Sequence, residues 1–77
     1  MRMDSKLSSL PEGGAGVIAG INQGGELRAR LMDLGFTPGA GVECLFAAPS
    51  GDPRAYLVRG AVIALRNCDA NRIAIKQ

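Results

Sequence analysis

ELRARLMDLGFTPG, running from Glu26 to Gly39, contains one whole element with a start, a buried stripe and a stop. Leu27, Leu31 and Leu34 recur at the spacing that lays three apolar side chains along one side of an α-helix, while Arg28, Met32 and Asp33 point elsewhere. Gly24 and Gly25 free the chain ahead of the helix. Glu26 places negative charge in its first turn, where the helix dipole favours it, and stands four residues before Arg30 in the favourable order for an ion pair. Gly35 suits the left-handed position just past a helix end, and Pro38 prevents the helix from resuming. The spacing therefore predicts a helix over residues 26–34. A helix under roughly 12 residues is marginal alone in water, so its leucine stripe must lie on something, and a sheet is what the remaining chain can supply.

Before the helix, Leu7 and Leu10 are spaced for a single turn that closes one end of a barrel, and Pro11, Gly13 and Gly14 redirect the chain. A first strand follows over residues 15–22, where Gly16 and Gly20 point to strong bending or a close backbone approach; alternation does not decide its buried face. After the turn cluster at residues 37–41, Val42, Cys44 and Phe46 alternate with Glu43, as in a half-buried strand with Cys44 and Phe46 on the core side. APSGDP, Ala48 to Pro53, is a rigid exposed loop. Residues 54–59 and 61–65 form two further strands, paired directly because Gly60 can take the positive φ a tight hairpin needs. Residues 66–71 suit a single helical turn, and Ile73 and Ile75 mark the closing strand over 72–76. Five short, mostly antiparallel strands, one helix and one turn make a mainly β chain, a small partly open barrel with the helix plugging or flanking it. Residues 1–6 carry no pattern and are expected to fray, which leaves residues 7–77 as a single domain.

Composition removes several functional classes. At 77 residues the core is small, and a large enclosed substrate cavity is not expected. With no histidine and no serine beside an activating partner, nucleophilic or general-base catalysis lacks its usual groups, so the chain is read as no enzyme. The nine basic residues are spread along the chain, not clustered, which fits a solvated surface and argues against a nucleic-acid partner. The aromatic residues Phe36, Phe46 and Tyr56 are too few to form a stacking platform. Two cysteines cannot make a disulfide scaffold or a closed zinc site within one chain, and Met1, Met3 and Met32 form no cluster, so neither structural metal nor cofactor is expected. Cys44 reads as a small buried hydrophobe. GGELRA lacks the Lys-Ser/Thr ending of a phosphate cradle and reads as a helix start. No apolar run suffices for a signal peptide or a membrane span, so a cytoplasmic location without membrane insertion is expected.

Three segments in this order, RLMDLGFTPG (Arg30 to Gly39), APSGDP (Ala48 to Pro53) and RGAVIALR (Arg59 to Arg66), together with LSSLPEGGAGVI (Leu7 to Ile18), resemble the FeoA family of ferrous iron transport accessory proteins. Arg30, Leu31, Gly35, Pro38, Gly39, Gly60, Leu65 and Arg66 belong to that shared pattern. The resemblance implies an SH3-like barrel, similar to the C-terminal domain of iron-dependent repressors. It also implies a cytosolic regulatory role, with a FeoB-type ferrous iron permease and its GTP-binding domain as partner. A protein that carries or senses ferrous iron is the alternative, and weak self-association stays open. The partner is expected at the loop from Pro49 to Pro53 and the adjoining strand, with Pro49, Ser50, Asp52, Arg54 and Arg59 as contacts. Prolines restrict that loop before binding and so reduce the entropy lost on association. The competing reading of Asp52 is a hydrogen bond within its own turn.

Overall fold

The leucine stripe forms its helix within one residue of the predicted bounds. In the computed structural model, which describes residues 5–77, α1 spans Gly25–Asp33, and Leu31 is its fully buried residue. Its end is set by backbone geometry. Gly35, at φ 113°, donates its N–H to the Met32 carbonyl (3.0 Å), and Phe36 donates to the Leu31 carbonyl (3.0 Å). This is the paired closure in which a left-handed residue satisfies the last helical carbonyls. Because the chain reverses there, Phe36 is buried beside the core and Leu34, the third residue of the stripe, is left 38% exposed. Arg30 pairs with Asp69 at 3.9 Å, the one ion pair among the described residues, in place of the Glu26 partner its spacing suggested.

Around this helix run six antiparallel strands in one sheet: β1 (Ser5–Lys6), β2 (Ala15–Ile21), β3 (Gly41–Ala47), β4 (Arg54–Val58), β5 (Ala61–Leu65) and β6 (Ile73–Lys76). Their order is β1-β6-β2-β3-β4-β5. The sixth strand corrects the expected frayed end in part. Ser5 and Lys6 pair with Ile75 and Ala74 through backbone groups that need no apolar pattern, while the rest of that end, residues 1–4, lies outside the described residues. A 3₁₀ turn over Leu7–Ser9 buries Leu7 and, just after it, Leu10, closing one end of the barrel; α2 (Asn67–Ala70) is the expected single turn before β6.

β2 is shared by the two halves of the barrel. Its first residues pair with β3, its later ones with β6, and the register shifts between Ile18 and Gly20. Ile18 is its buried residue. At Gly16 a Cβ would stand 2.8 Å from the Lys76 carbonyl oxygen, so glycine is what permits β6 to lie so close.

A second irregularity overturns the placement of Phe46. In β3, Val42 and Cys44 point into the core opposite Val58 and Tyr56, but the register shifts before Phe46, which then faces Ala55 on the outer side and is 58% exposed. One extra residue in a strand turns every later side chain to the other face. The barrel interior is instead filled by Leu7, Leu10, Ile18, Leu31, Phe36 and Tyr56, joined by Val42, Cys44, Val58, Leu65, Ile73 and Ile75 of the later strands. Each such large apolar side chain contributes about 1.5–3 kcal/mol on full burial, which is what fixes a nine-residue helix in place.

Candidate functional site

The expected contact residues do not form one surface. Loop 48–53 is tied to itself and to α2. Ala48 donates to the Pro53 carbonyl (3.0 Å), Gly51 to the Ala48 carbonyl (2.7 Å), and the Ser50 hydroxyl to the Asp52 carbonyl (2.9 Å). The Asp52 carboxylate accepts from the backbone N–H of Asn67 (2.9 Å), and the Asn67 amide donates to the Gly51 carbonyl (3.0 Å). Asp52 thus satisfies a free donor in the first turn of α2, not one of its own turn, and it sits half-buried. Pro49 and Ser50 remain exposed at the tip.

Arg54 is turned inward. Its guanidinium donates to the carbonyl of Ser8 (3.1 Å) and to that of Leu10, joining β4 to the 3₁₀ turn across the end of the barrel. It also lies beside the buried Tyr56. Desolvation pushes the Tyr56 phenol above its ordinary range, and the adjacent Arg54 charge offsets part of that rise. The Cys44 thiol is likewise pushed up by burial, with Arg54 opposing and Glu12 adding to the shift. Arg54 is therefore the strap of this end and not an exposed contact.

Arg59 stands at the other end of β4, about 16 Å from the loop for a five-residue strand. With Gly60 it forms a two-residue turn in which both residues have positive φ (53° and 79°), the geometry that matches the twist of a tight hairpin. Its side chain reaches back over the helix end and donates to the Thr37 hydroxyl (2.8 Å). A Cβ placed on Gly35 would come within 3.1 Å of the Arg59 Cγ, so any larger residue there requires the Arg59 side chain to shift by a few tenths of an ångström.

Between these ends the outer sheet face is apolar. One row runs Ala15, Glu43, Leu57, Val62 across four strands, and a second runs Phe46, Ala55, Ala64. Val62 is 59% exposed, Val17 is 44% exposed, and Glu43 is the acidic member of these rows. An open hollow of about 330 Å³ lies beside this face, lined by Gly16, Gly41, Glu43, Leu57 and Arg59 among others. Sequence reasoning passed over this face, although Ala55–Val58 and Ala61–Leu65 are apolar at consecutive positions and so leave no polar residue for the solvent side. Other connections also went unseen: Glu12 accepts from the Ala47 N–H (2.8 Å) just past the bulge, and the Ser8 hydroxyl donates to the Asn71 side-chain carbonyl. Among the described residues no three Cys, Asp or Glu side chains converge as a metal site would require, and no helix is long and apolar enough to cross a membrane.

The fold and these segments match known proteins along almost the whole chain. The FeoA domain family matches residues 5–77. A curated relative, the Fe(2+) transport protein A/Fe(2+) transporter FeoB fusion protein of Porphyromonas gingivalis, is 31% identical over 71 residues, which is 92% of this chain and 8% of the relative's length. Among solved structures, the FeoA protein from Chlorobium tepidum superposes with a TM-score of 0.87 at 33% identity, covering 94% of this chain and 69% of that one. The zinc complex of Stenotrophomonas maltophilia FeoA, described as an SH3 domain protein, gives 0.81 at 28% identity, covering 97% of this chain and 91% of that one. A manganese-dependent transcriptional repressor shares the fold alone: its TM-score is 0.86 at 14% identity, over all of this chain and 43% of that one.

Proposed function

The chain belongs to the FeoA domain family, and from that premise we propose that it is a non-catalytic accessory protein of ferrous iron uptake that binds the cytosolic GTP-binding part of a FeoB-type permease. The observation that carries this reading is the fusion relative, in which a segment similar to this chain is joined to a transporter on one polypeptide. Covalent linkage holds two modules at high effective concentration and is useful where they must meet. The outer face around Phe46, Leu57 and Val62 supplies an apolar contact area, with Pro49 and Ser50 beyond one end and Arg59 at the other.

Calorimetric titration of the full chain with the permease's cytosolic domain, with and without guanine nucleotide, tests the proposal. Saturable binding in at least one nucleotide state is the expected result, and none in either state overturns it. Asp52→Ala separates structure from recognition. It should lower stability by about 1–2 kcal/mol through the lost acceptor for Asn67 N–H and leave affinity for the permease domain unchanged.

A further inference from the structure

β5 is the last strand in the sheet order, and its far side has no backbone partner among the described residues. The turn geometry identifies which groups are free. Val58 and Ala61 flank the two-residue turn and therefore exchange both backbone bonds, so by alternation Tyr56 with Ile63 and Arg54 with Leu65 do the same. Val62 and Ala64 fall in the pairs that make no such bonds, and their N–H and C=O groups point away from β4. Proteins normally protect an edge of this kind with a charge, a proline or a bulge. Ala61–Leu65 has neither charge nor proline, and its register with β4 is unbroken.

The charges around this edge select an occupant. From Arg54 to Arg66 there are three arginines and no acidic residue. The Arg54 guanidinium is committed inside the barrel, which leaves Arg66 and, through the donors its bond to Thr37 does not use, Arg59, both exposed, at the two ends of the open edge, about 20 Å apart. A second copy fits badly. Two-fold antiparallel pairing centred on Ile63 sets Arg66 opposite Gly60 of the second copy and next to its Arg59, so like charges meet at both ends. We propose that β5 accepts an extended segment of a partner protein as an added strand, one with an uncharged, alternately apolar middle and an acidic residue at each end. The backbone of Val62 and Ala64 carries the strand, its apolar residues extend the Leu57–Val62 row on the outer face, and Arg59 and Arg66 hold its ends. The proposal deepens the accessory reading and rests on it for the partner's identity only.

The test uses the full chain and two synthetic peptides of alternating valine and threonine, one with aspartate at each end and one with lysine. Amide hydrogen exchange at Val62 and Ala64 should slow on adding the aspartate-ended peptide, and that peptide should bind about tenfold more tightly than the other at low salt. Arg66→Glu should abolish the preference. Ala64→Pro removes an outward donor without touching the β4 ladder and should weaken binding about tenfold; if that variant does not fold, Arg66→Glu, on an exposed side chain, carries the test. Unchanged exchange with both peptides, equal affinities, or protection that grows with protein concentration in the absence of peptide would each overturn the proposal, the last by seating a second copy on the edge. The permease domain separates the two readings. If it binds while Val62 and Ala64 exchange as before, strand addition falls and the accessory role stands; if only the aspartate-ended peptide protects them and the domain does not bind, the converse holds.

Discussion

Gly35 is constrained twice, by its φ of 113° and by the Arg59 side chain packed over it. Gly35→Val should therefore cost at least ~1–2 kcal/mol for the left-handed backbone alone, and each kcal/mol corresponds to roughly 4–8 °C in a domain of this size. Thermal denaturation reads the loss directly. In Gly35→Ala the Arg59→Ala change should recover part of the deficit, a non-additivity of about 0.5 kcal/mol or more that independent sites would not show. The position of Gly35 was legible because the closure it makes is local, contained within residues 31–36. Arg54 was not legible. The carbonyls it binds lie 44 and 46 residues away, and nothing in ArgAlaTyrLeuVal distinguishes an arginine strapped across a barrel end from one in solvent.

Among the elements, β3 shows best where pattern reading fails. Alternation of Val42, Cys44 and Phe46 assumes an unbroken strand, but the bulge is decided by pairing with β4, a partner that alternation within β3 cannot sense. The expected consequence is energetic as well as geometric. Phe46→Ser should change stability by no more than about 0.5 kcal/mol, as at an exposed site, whereas truncating a core phenylalanine costs about 3–5 kcal/mol. Denaturant unfolding distinguishes these outcomes easily. α1 was readable from its leucine spacing, and the β4–β5 hairpin from Arg59-Gly60, because in both the deciding residues are neighbours in the chain. β1 depends on β6 for its backbone bonds and carries no pattern of its own.

For the molecule as a whole, two buried acids, Cys44 and Tyr56, lower stability in alkali. Burial raises the Cys44 thiol above its ordinary value of 9.0 and the Tyr56 phenol above 10.0. Their contribution is complete below about pH 9. Above that the unfolded thiol ionises while the folded one keeps its proton, so stability falls with rising pH, by up to ~1.4 kcal/mol per pH unit for each group, until the folded groups also ionise. Denaturant midpoints measured from pH 7 to 11 should show this decline, and Cys44→Ala should flatten its earlier part. The topology carries a different consequence, one of timing. β6 lies between β1 and β2, so Ile73–Lys76 completes two ladders at once. The helix and the ladders of the three-strand meander β3-β4-β5 use only local backbone contacts, whereas the ladders of β6 join residues 5–6 and 17–21 to residues 73–76, so closing the barrel waits on the pairing of greatest sequence separation. Removing residues 73–76 would both strip β1 of its partner and expose one side of β2, so a single nick ahead of Ile73 that releases them should open β1 and β2 together to further proteolysis.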